Sequence, residues 1–391
     1  MTQPIPSAAS DAVPGAHRAV ADCRGRFTRR VVAALFAVTA SSCALPPGTL
    51  PSFAPRPEST AEILSVVHAP LDTRRFDAVA PTTEVLGALQ VMRTRHEDTF
   101  TDLARVYDLG YAALRAANPE VDPWLPGAGT PVYLPTLQVI PDAPRNGIVV
   151  NLPSMRLLAF ESGAAGAATQ RVFSHPIGIG REGWETPTGA MHVTQKTRDP
   201  TWYPPASVRA EHAAAGDPLP AAVPPGPDNP LGRHRLRLSK PNYLIHGTNK
   251  PGGVGMRVSH GCIRLYPEDI ETLFERVALK TPVYIVDQPV LAGWRDGELY
   301  LEVHPPLAED PRDLAAEAAR VIAAALARGG VARAAVDEAL VAELVRQRRG
   351  IPVPVTRPGM TLAGWLTAAR EVQNLAPARL EADGNPRSPD G

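Results

Sequence analysis

Residues 243–265 read YLIHGTNKPGGVGMRVSHGCIRL, and the rest of the chain is organised around them. The stretch joins His-Gly-Thr to Ser-His-Gly-Cys-Ile-Arg through a glycine-rich spacer, so two histidines and one cysteine can converge on one point. A thiol with a reference pKa of about 8.5 is mostly protonated at neutral pH, whereas the thiolate is the form that attacks a carbonyl. Cys262 therefore needs a base. Imidazole titrates near neutrality, so a neighbouring histidine can take the thiol proton and later return one to a leaving amine. His260 stands two positions before Cys262, which in an extended segment puts both on one face; His246 stands sixteen positions earlier, after the apolar Tyr243, Leu244 and Ile245. Gly261 has no side chain to block the thiol or backbone N–H groups that could hold an oxyanion. Arg264 keeps the parity of His260 and Cys262 and can meet an anionic group. These residues alone do not rank the two histidines.

Plainer readings compete. A lone cysteine is usually a small buried hydrophobe, and a lone histidine a hydrogen-bonded structural group. Zinc would use both, but a structural site needs four ligands with close paired spacings, and Cys262 has no partner cysteine nearby. No metal and no cofactor are expected.

The pattern H-G-T, a glycine-rich spacer and S-H-G-C-I-R-L resembles the active-site signature of the L,D-transpeptidase (YkuD) catalytic domain in its ErfK/YbiS-like branch. The flanking segments GIGREG (178–183), TPTG (186–189), DPTW (199–202) and GPDNPLG (226–232) resemble it too, over about residues 146–307. The resemblance implies Cys262 as nucleophile and His246 as proton donor and acceptor. It assigns Ser259, His260 and Gly261 to supporting or oxyanion roles, and Arg264, Gly247 and Thr248 to the substrate side. It further implies a peptidoglycan stem peptide as acyl donor, a thioester formed with release of a terminal D-residue, and an amine acceptor. That amine would be a second stem, giving a crosslink, or a lysine of an outer-membrane lipoprotein, giving an anchor. The fold it implies is mainly β, with a β-sandwich-like catalytic domain.

Two rival chemistries fit worse. A papain-like hydrolase places its cysteine at a helix start and before its histidine, the reverse of the order here. A serine D,D-transpeptidase needs Ser-x-x-Lys, and none of Lys196, Lys240, Lys250 and Lys280 has serine three positions before it.

The chain is 391 residues long, beyond the usual single domain. With 40 basic and 40 acidic residues and no basic block, it gives no sign of a nucleic-acid partner. Residues 1–43 read as an export leader: Arg24, Arg26, Arg29 and Arg30 precede a ten-residue apolar run too short to span a bilayer. Ala40-Ser41-Ser42-Cys43 resembles a lipoprotein cleavage box, although Ala40 stands where the pattern prefers leucine. Cys43 is thus the expected lipid-bearing N-terminus of a periplasmic, membrane-anchored protein, and Cys262 becomes the only thiol of the folded part.

Prolines cluster in 46–57, so 44–88 reads as a tether. Residues 89–137 read strand, helix, helix, strand, with helices over 99–107 and 111–117 and strands near 89–92 and 131–135. This order with Ala-Asn-Pro at 117–119 resembles a LysM module, a binder of N-acetylglucosamine-containing glycan strands, although Glu97-Asp98 replaces the usual Gly-Asp. Gly178, Gly180 and Gly183 satisfy G-x-G-x-x-G, but Thr-Pro-Thr-Gly follows where a dinucleotide fold needs a helix, so a turn is expected. Residues 203–235 carry many prolines and read as a lid or substrate wall, with His212 and His234 exposed. Beyond the signature come a helix over 267–277, a strand over 282–286 and a hairpin at Asp296-Gly297. A helical hairpin over 310–349 and a partly disordered tail over 350–391 complete the reading.

Overall fold

The computed structural model describes residues 67–72, 74–161, 168–329 and 335–377. The leader with Cys23 and Cys43, and residues 378–391 of the tail, lie outside them. In chain order the first elements are β1 (Arg75–Val79), β2 (Val85–Leu86), β3 (Gln90–Arg93), α1 (Phe100–Val106), α2 (Tyr111–Ala117), β4 (Pro131–Leu134) and β5 (Gln138–Val139). β3 and β4 pair antiparallel under the two helices, in the order read from the sequence. Met92, Phe100, Leu103, Leu114, Val132 and Leu134 are fully buried at the centre of this module. Thr99 caps α1 by accepting from the Asp102 N–H. Asn118 of Ala-Asn-Pro exchanges two hydrogen bonds with Tyr133, Nδ2 to O at 2.8 Å and N to Oδ1 at 2.7 Å, pinning the end of α2 to β4.

The next elements are β6 (Gly147–Asn151), β7 (Arg156–Phe160), β8 (Gln170–Pro176), β9 (Ile179–Gly180), β10 (Gly189–Arg198), α3 (Ala206–Ala214), β11 (His234–Leu238), β12 (Leu244–His246), β13 (Arg257–Ser259), β14 (Ile263–Arg264), α4 (Pro267–Arg276) and β15 (Pro282–Val286). Nine strands form one sheet in the order β1-β8-β7-β6-β15-β10-β11-β12-β14, and β9 pairs with β13 in a second, small sheet. The Gly178–Gly183 pattern falls on β9 and a turn, with no helix after it. Alternation divides β6 and β7 between two cores. Ile148, Val150, Leu157 and Ala159 join the core under α4, while Val149, Leu158 and Phe160 join Val79, Leu86, Ile140 and Val172 on the other face. Burial on both faces explains why β6 reads as an uninterrupted apolar run. α4 opens with Pro267 and carries Glu268 and Asp269 in its first turn, matching the free N–H groups and positive end of a helix N-terminus.

The last elements are β16 (Val290–Arg295), β17 (Glu298–Val303), α5 (Leu314–Gly329), α6 (Glu338–Gln347), β18 (Val353–Pro354), α7 (Leu362–Thr367) and β19 (Arg370–Val372). Asp296 and Gly297 both have positive φ, 52° and 80°, as the tight hairpin turn requires.

Three boundaries differ from the sequence reading. The hairpin β16–β17 does not extend the nine-stranded sheet; it pairs with β18 and shares a core with α5, α6 and α7, so the unit expected to end at 307 stops short of it. The tether holds β1, the edge strand beside β8, and β2, which pairs with β5. The tail supplies β18 and β19, and β19 adds a parallel strand to β3 of the small module. Strands of two to five residues carry too little alternation to register as a pattern, and their partners lie far away in sequence.

Candidate functional site

Strands β11, β12 and β14 end the large sheet, and their register builds the site. Arg235 pairs with His246 and Arg237 with Leu244, while His246 pairs with Arg264 and Ile245 with Ile263. Side chains alternate along a strand and neighbours in register share a face. Leu236, Ile245, Ile263 and Leu265 therefore point into the core, where each is 0–1% exposed. Arg235, Arg237, Leu244, His246, Cys262 and Arg264 take the opposite face and line a cleft of about 450 Å³. Trp184, Trp202, Tyr203, Val208 of α3 and Leu231 form its walls. The 203–235 segment is thus a wall of the cleft, as expected of it.

Cys262 is a free thiol that donates to the Asn242 carbonyl at 3.7 Å. Burial pushes its pKa up, against weaker opposing pulls from the Leu244 N–H and Arg264. His246 is 3% exposed, and its Nδ1 lies 2.6 Å from the Gly247 carbonyl. A carbonyl only accepts, so Nδ1 carries the proton and Nε2 keeps its lone pair. Burial first, then Arg264, lowers the His246 pKa to about 3, so the imidazole is neutral across the physiological range. The Cys262 thiol and the His246 imidazole are thus both neutral at rest.

The other expected site residues divide. His260 is not on the strand of Cys262. Gly261, at φ +94°, turns the chain between β13 and β14, so the parity that joined His260 to Cys262 and Arg264 is broken. His260 lines the cleft from the side: its Nε2 donates to Glu211 of α3 at 2.9 Å, Arg181 pairs with the same carboxylate, and Trp184 meets the ring edge-on at 4.7 Å. A side chain at Gly261 would meet Tyr243 Cε1 at 2.9 Å. Ser259 is fully buried and donates to the Cys262 carbonyl at 2.6 Å, fixing the turn. Gly247 and Thr248 do not line the cleft. The Gly247 carbonyl orients His246, and Thr248 Oγ1 accepts from the Lys250 N–H at 2.9 Å. His234, expected to be exposed, is 5% exposed with its ring 4.7 Å from Phe274, because it begins β11 on the core face. His212 is half-buried beside Asp217.

Two features escaped the sequence. Arg235 and Arg237 alternate with Leu236 and Leu238, a period-two signal hidden behind the proline-rich segment. The Nε atoms of Arg235 and Arg264 are buried with no hydrogen-bond partner among the described residues, and burial lowers the pKa of both guanidiniums. Thr186 is the second: its hydroxyl donates to the Gly261 carbonyl at 3.0 Å and accepts from the Gly180 N–H at 2.9 Å, tying β9 to the cysteine turn.

A second titratable cluster lies elsewhere. Asp108, His175 of β8 and Asp269 of α4 bring ligating atoms within 4.8 Å of one another, all buried. Burial and the neighbouring Asp269 push Asp108 well above the usual carboxylate range; burial lifts Asp269 to about 6 and lowers His175 to about 4. The buried Arg156 guanidinium donates to the Asp108 carbonyl at 3.0 Å. One proton shared by the aspartates balances Arg156 and leaves the cluster neutral, whereas a divalent ion would leave an uncompensated positive charge in a sealed space.

The comparisons with known proteins come to the same region. A model of the L,D-transpeptidase catalytic domain matches residues 145–285, and one of the L,D-transpeptidase C-terminal domain matches residues 292–355. The division agrees with the separate core of β16–β17. The chain is 41% identical over 255 residues to the probable L,D-transpeptidase YbiS of Escherichia coli, covering 64% of this chain and 81% of that protein. It is 45% identical over 212 residues to the probable L,D-transpeptidase YcfS of Escherichia coli, covering 53% and 65%. It is 39% identical over 259 residues to the probable L,D-transpeptidase ErfK/SrfK of Salmonella typhimurium, covering 65% and 82%. The chain belongs to the L,D-transpeptidase family, cysteine-dependent acyltransferases that act on peptidoglycan stem peptides.

Proposed function

We propose that Cys262 is the nucleophile and His246 the base of a peptidoglycan L,D-transpeptidase. His246 Nε2 takes the thiol proton as sulfur attacks the carbonyl of the L-centre joined to a terminal D-residue. The C–N bond breaks, the imidazolium returns the proton to the departing amine, and a thioester remains. An acceptor amine then attacks the thioester, gives a proton to His246, and the thiol is restored. The observation that carries this reading is that His246 and Arg264, in register on β12 and β14, and Cys262, one residue before β14, line the same cleft. Neutral reactants suit a floor where His246 is buried and Cys262 partly so, since neither needs to carry charge until the substrate arrives.

The arginines support an anionic substrate. Arg235, Arg237 and Arg264 bring three positive charges to one cleft, and two of them have Nε atoms without a hydrogen-bond partner among the described residues. Carboxylates of a stem peptide would supply the missing acceptors in bidentate geometry. The test is incubation with a stem tetrapeptide that lacks sugars and ends in a D-residue. The expected result is a mass increase on Cys262 equal to the peptide less its last residue and one water, absent in Cys262→Ala. No adduct on wild-type protein overturns the reading.

We propose a periplasmic location with Cys43 as lipid anchor, supported by the leader's composition. Cys43→Ala is expected to move the protein from the membrane to the soluble fraction; retention at the membrane contradicts the anchor. We propose that residues 89–137 bind glycan, supported by the βααβ order and by Trp124, 59% exposed with its ring 6.1 Å from that of Tyr111. Trp124→Ala is expected to weaken retention of the full chain on purified sacculi, and unchanged retention would remove the glycan role from this face.

A further inference from the structure

We infer that the small module is part of the active-site scaffold: the N-terminus of α2 holds the loop that joins His246 to Cys262. The inference rests on the reading of Cys262 as the acylated residue. The first N–H groups of any helix have no partner inside it and must find one elsewhere. α2 starts after Gly110, which offers no side-chain cap. Its first two N–H groups instead point to the loop, Tyr111 N to the Val254 carbonyl at 3.5 Å and Ala112 N to the Gly255 carbonyl at 3.1 Å. The loop is, in effect, the cap of the helix.

The contact requires glycine on both sides. A Cβ on Gly110 would lie 2.8 Å from Gly255 Cα, and one on Gly255, whose φ is +81°, would lie 2.2 Å from Gly110 Cα. The opposite edge of the loop is held by the β8–β9 connection, where Gly255 N donates to the Ile177 carbonyl at 3.2 Å and Ile179 N to the Met256 carbonyl at 3.0 Å. The α1–α2 segment is itself fixed to β7 and to the start of α4. Tyr266 OH donates to the Leu109 carbonyl at 3.1 Å, Arg156 Nη2 to the Asp108 carbonyl at 3.0 Å, and Arg105 makes a two-point ion pair with Glu268 at 3.0 and 3.1 Å. The loop that joins His246 to Cys262 is therefore clamped between the β8–β9 segment and the module. A module that served only to hold glycan would need no bond to it.

The discriminating substrate contains no sugar. If the module only tethers the enzyme to glycan, perturbing α2 leaves acylation by the sugar-free tetrapeptide unchanged. If it positions the loop, the rate constant for acylation of Cys262 falls while KM changes little. Gly110→Ala is the cleaner variant, since φ −87° suits any residue and the new methyl group presses only on the loop. Ala112→Pro deletes one N–H in the first helical turn, where proline is tolerated. We expect each to lower the acylation rate by on the order of ten- to a hundred-fold, the cost of a misplaced reacting group. Rates equal to wild type in both variants overturn the inference and leave the nucleophile assignment standing. No adduct on wild-type Cys262 overturns both. Should neither variant fold, amide exchange of the wild-type protein decides: the Ala112 N–H is expected to be protected, and exchange at the rate of an open helix end would contradict the clamp.

Discussion

Two buried histidines in this molecule share an electrostatic signature and differ in access. His246 and His175 both have pKa values lowered chiefly by burial, to about 3 and about 4, and each has an arginine nearby that lowers it further. Both are therefore neutral at pH 7. His246, however, stands at a cleft that Cys262 also lines, whereas His175 is sealed at the junction of β8, α4 and the α1–α2 connection. A perturbed pKa marks a group that the fold has taken out of water. Whether that group does chemistry depends on a path to substrate and on a partner that needs its lone pair.

The largest expected difference between the two is in rate. His246→Gln is expected to lower acylation of Cys262 by on the order of a hundred-fold or more, the usual worth of a general base. The pH profile should change shape as well. The wild-type rate is expected to be flat from about pH 5 to 8, because His246 stays deprotonated well below that range. In His246→Gln the rate should follow the thiolate alone, rising about tenfold per pH unit toward the raised pKa of Cys262. His175→Gln is expected to keep the wild-type rate and profile while losing about 1–3 kcal/mol of stability, since it disturbs a buried polar cluster without touching the cleft. A flat profile in His246→Gln, or a displaced one in His175→Gln, would reverse the comparison.

The same contrast explains what the sequence disclosed. The β11-β12-β14 edge was legible because its chemistry is local: His246, Gly261, Cys262 and Arg264 lie within one short stretch, and the strand parity of Cys262 and Arg264 survives folding. His260 was misplaced on that face because a single positive φ at Gly261 breaks the parity, and glycine does not announce which way it turns. The Asp108, His175 and Asp269 cluster was invisible, since its members come from three elements up to 161 residues apart and none belongs to a motif. β19 was missed for the same reason: Arg370–Val372 pairs with Gln90–Arg93, a non-local contact between segments too short to show a period. Arg235 and Arg237 could have been found. Their alternation with two leucines was present, but it sat at the end of a proline-rich segment that read as loop throughout.

The comparison can be sharpened through stability, where effects of a few kcal/mol are expected and the two sites should slope in opposite directions. His246 binds its proton less readily folded than unfolded, so the unfolded chain takes up more protons between about pH 6.5 and 3. Its contribution to stability is complete above pH 6.5 and is lost as the pH falls through that window. His246→Gln, which does not titrate, should therefore gain on wild type by about 1.4 kcal/mol per pH unit on acidification. Asp269 has the reverse linkage. Its folded pKa of about 6 lies above the unfolded value of 3.8, so its contribution is complete below pH 3.8 and is lost as the pH rises to 6. Asp269→Asn should accordingly gain on wild type between pH 3.8 and 6 at a similar slope and hold that gain above pH 6. Differences from wild type cancel the titration of groups that the substitution leaves alone, so denaturant midpoints at a series of pH values read His246 by itself and Asp269 together with Asp108, whose pKa it raises. Parallel slopes in the two variants would mean that Asp269 is already ionised in the folded protein below pH 6, with Asp108 alone keeping the proton that leaves the cluster neutral against Arg156.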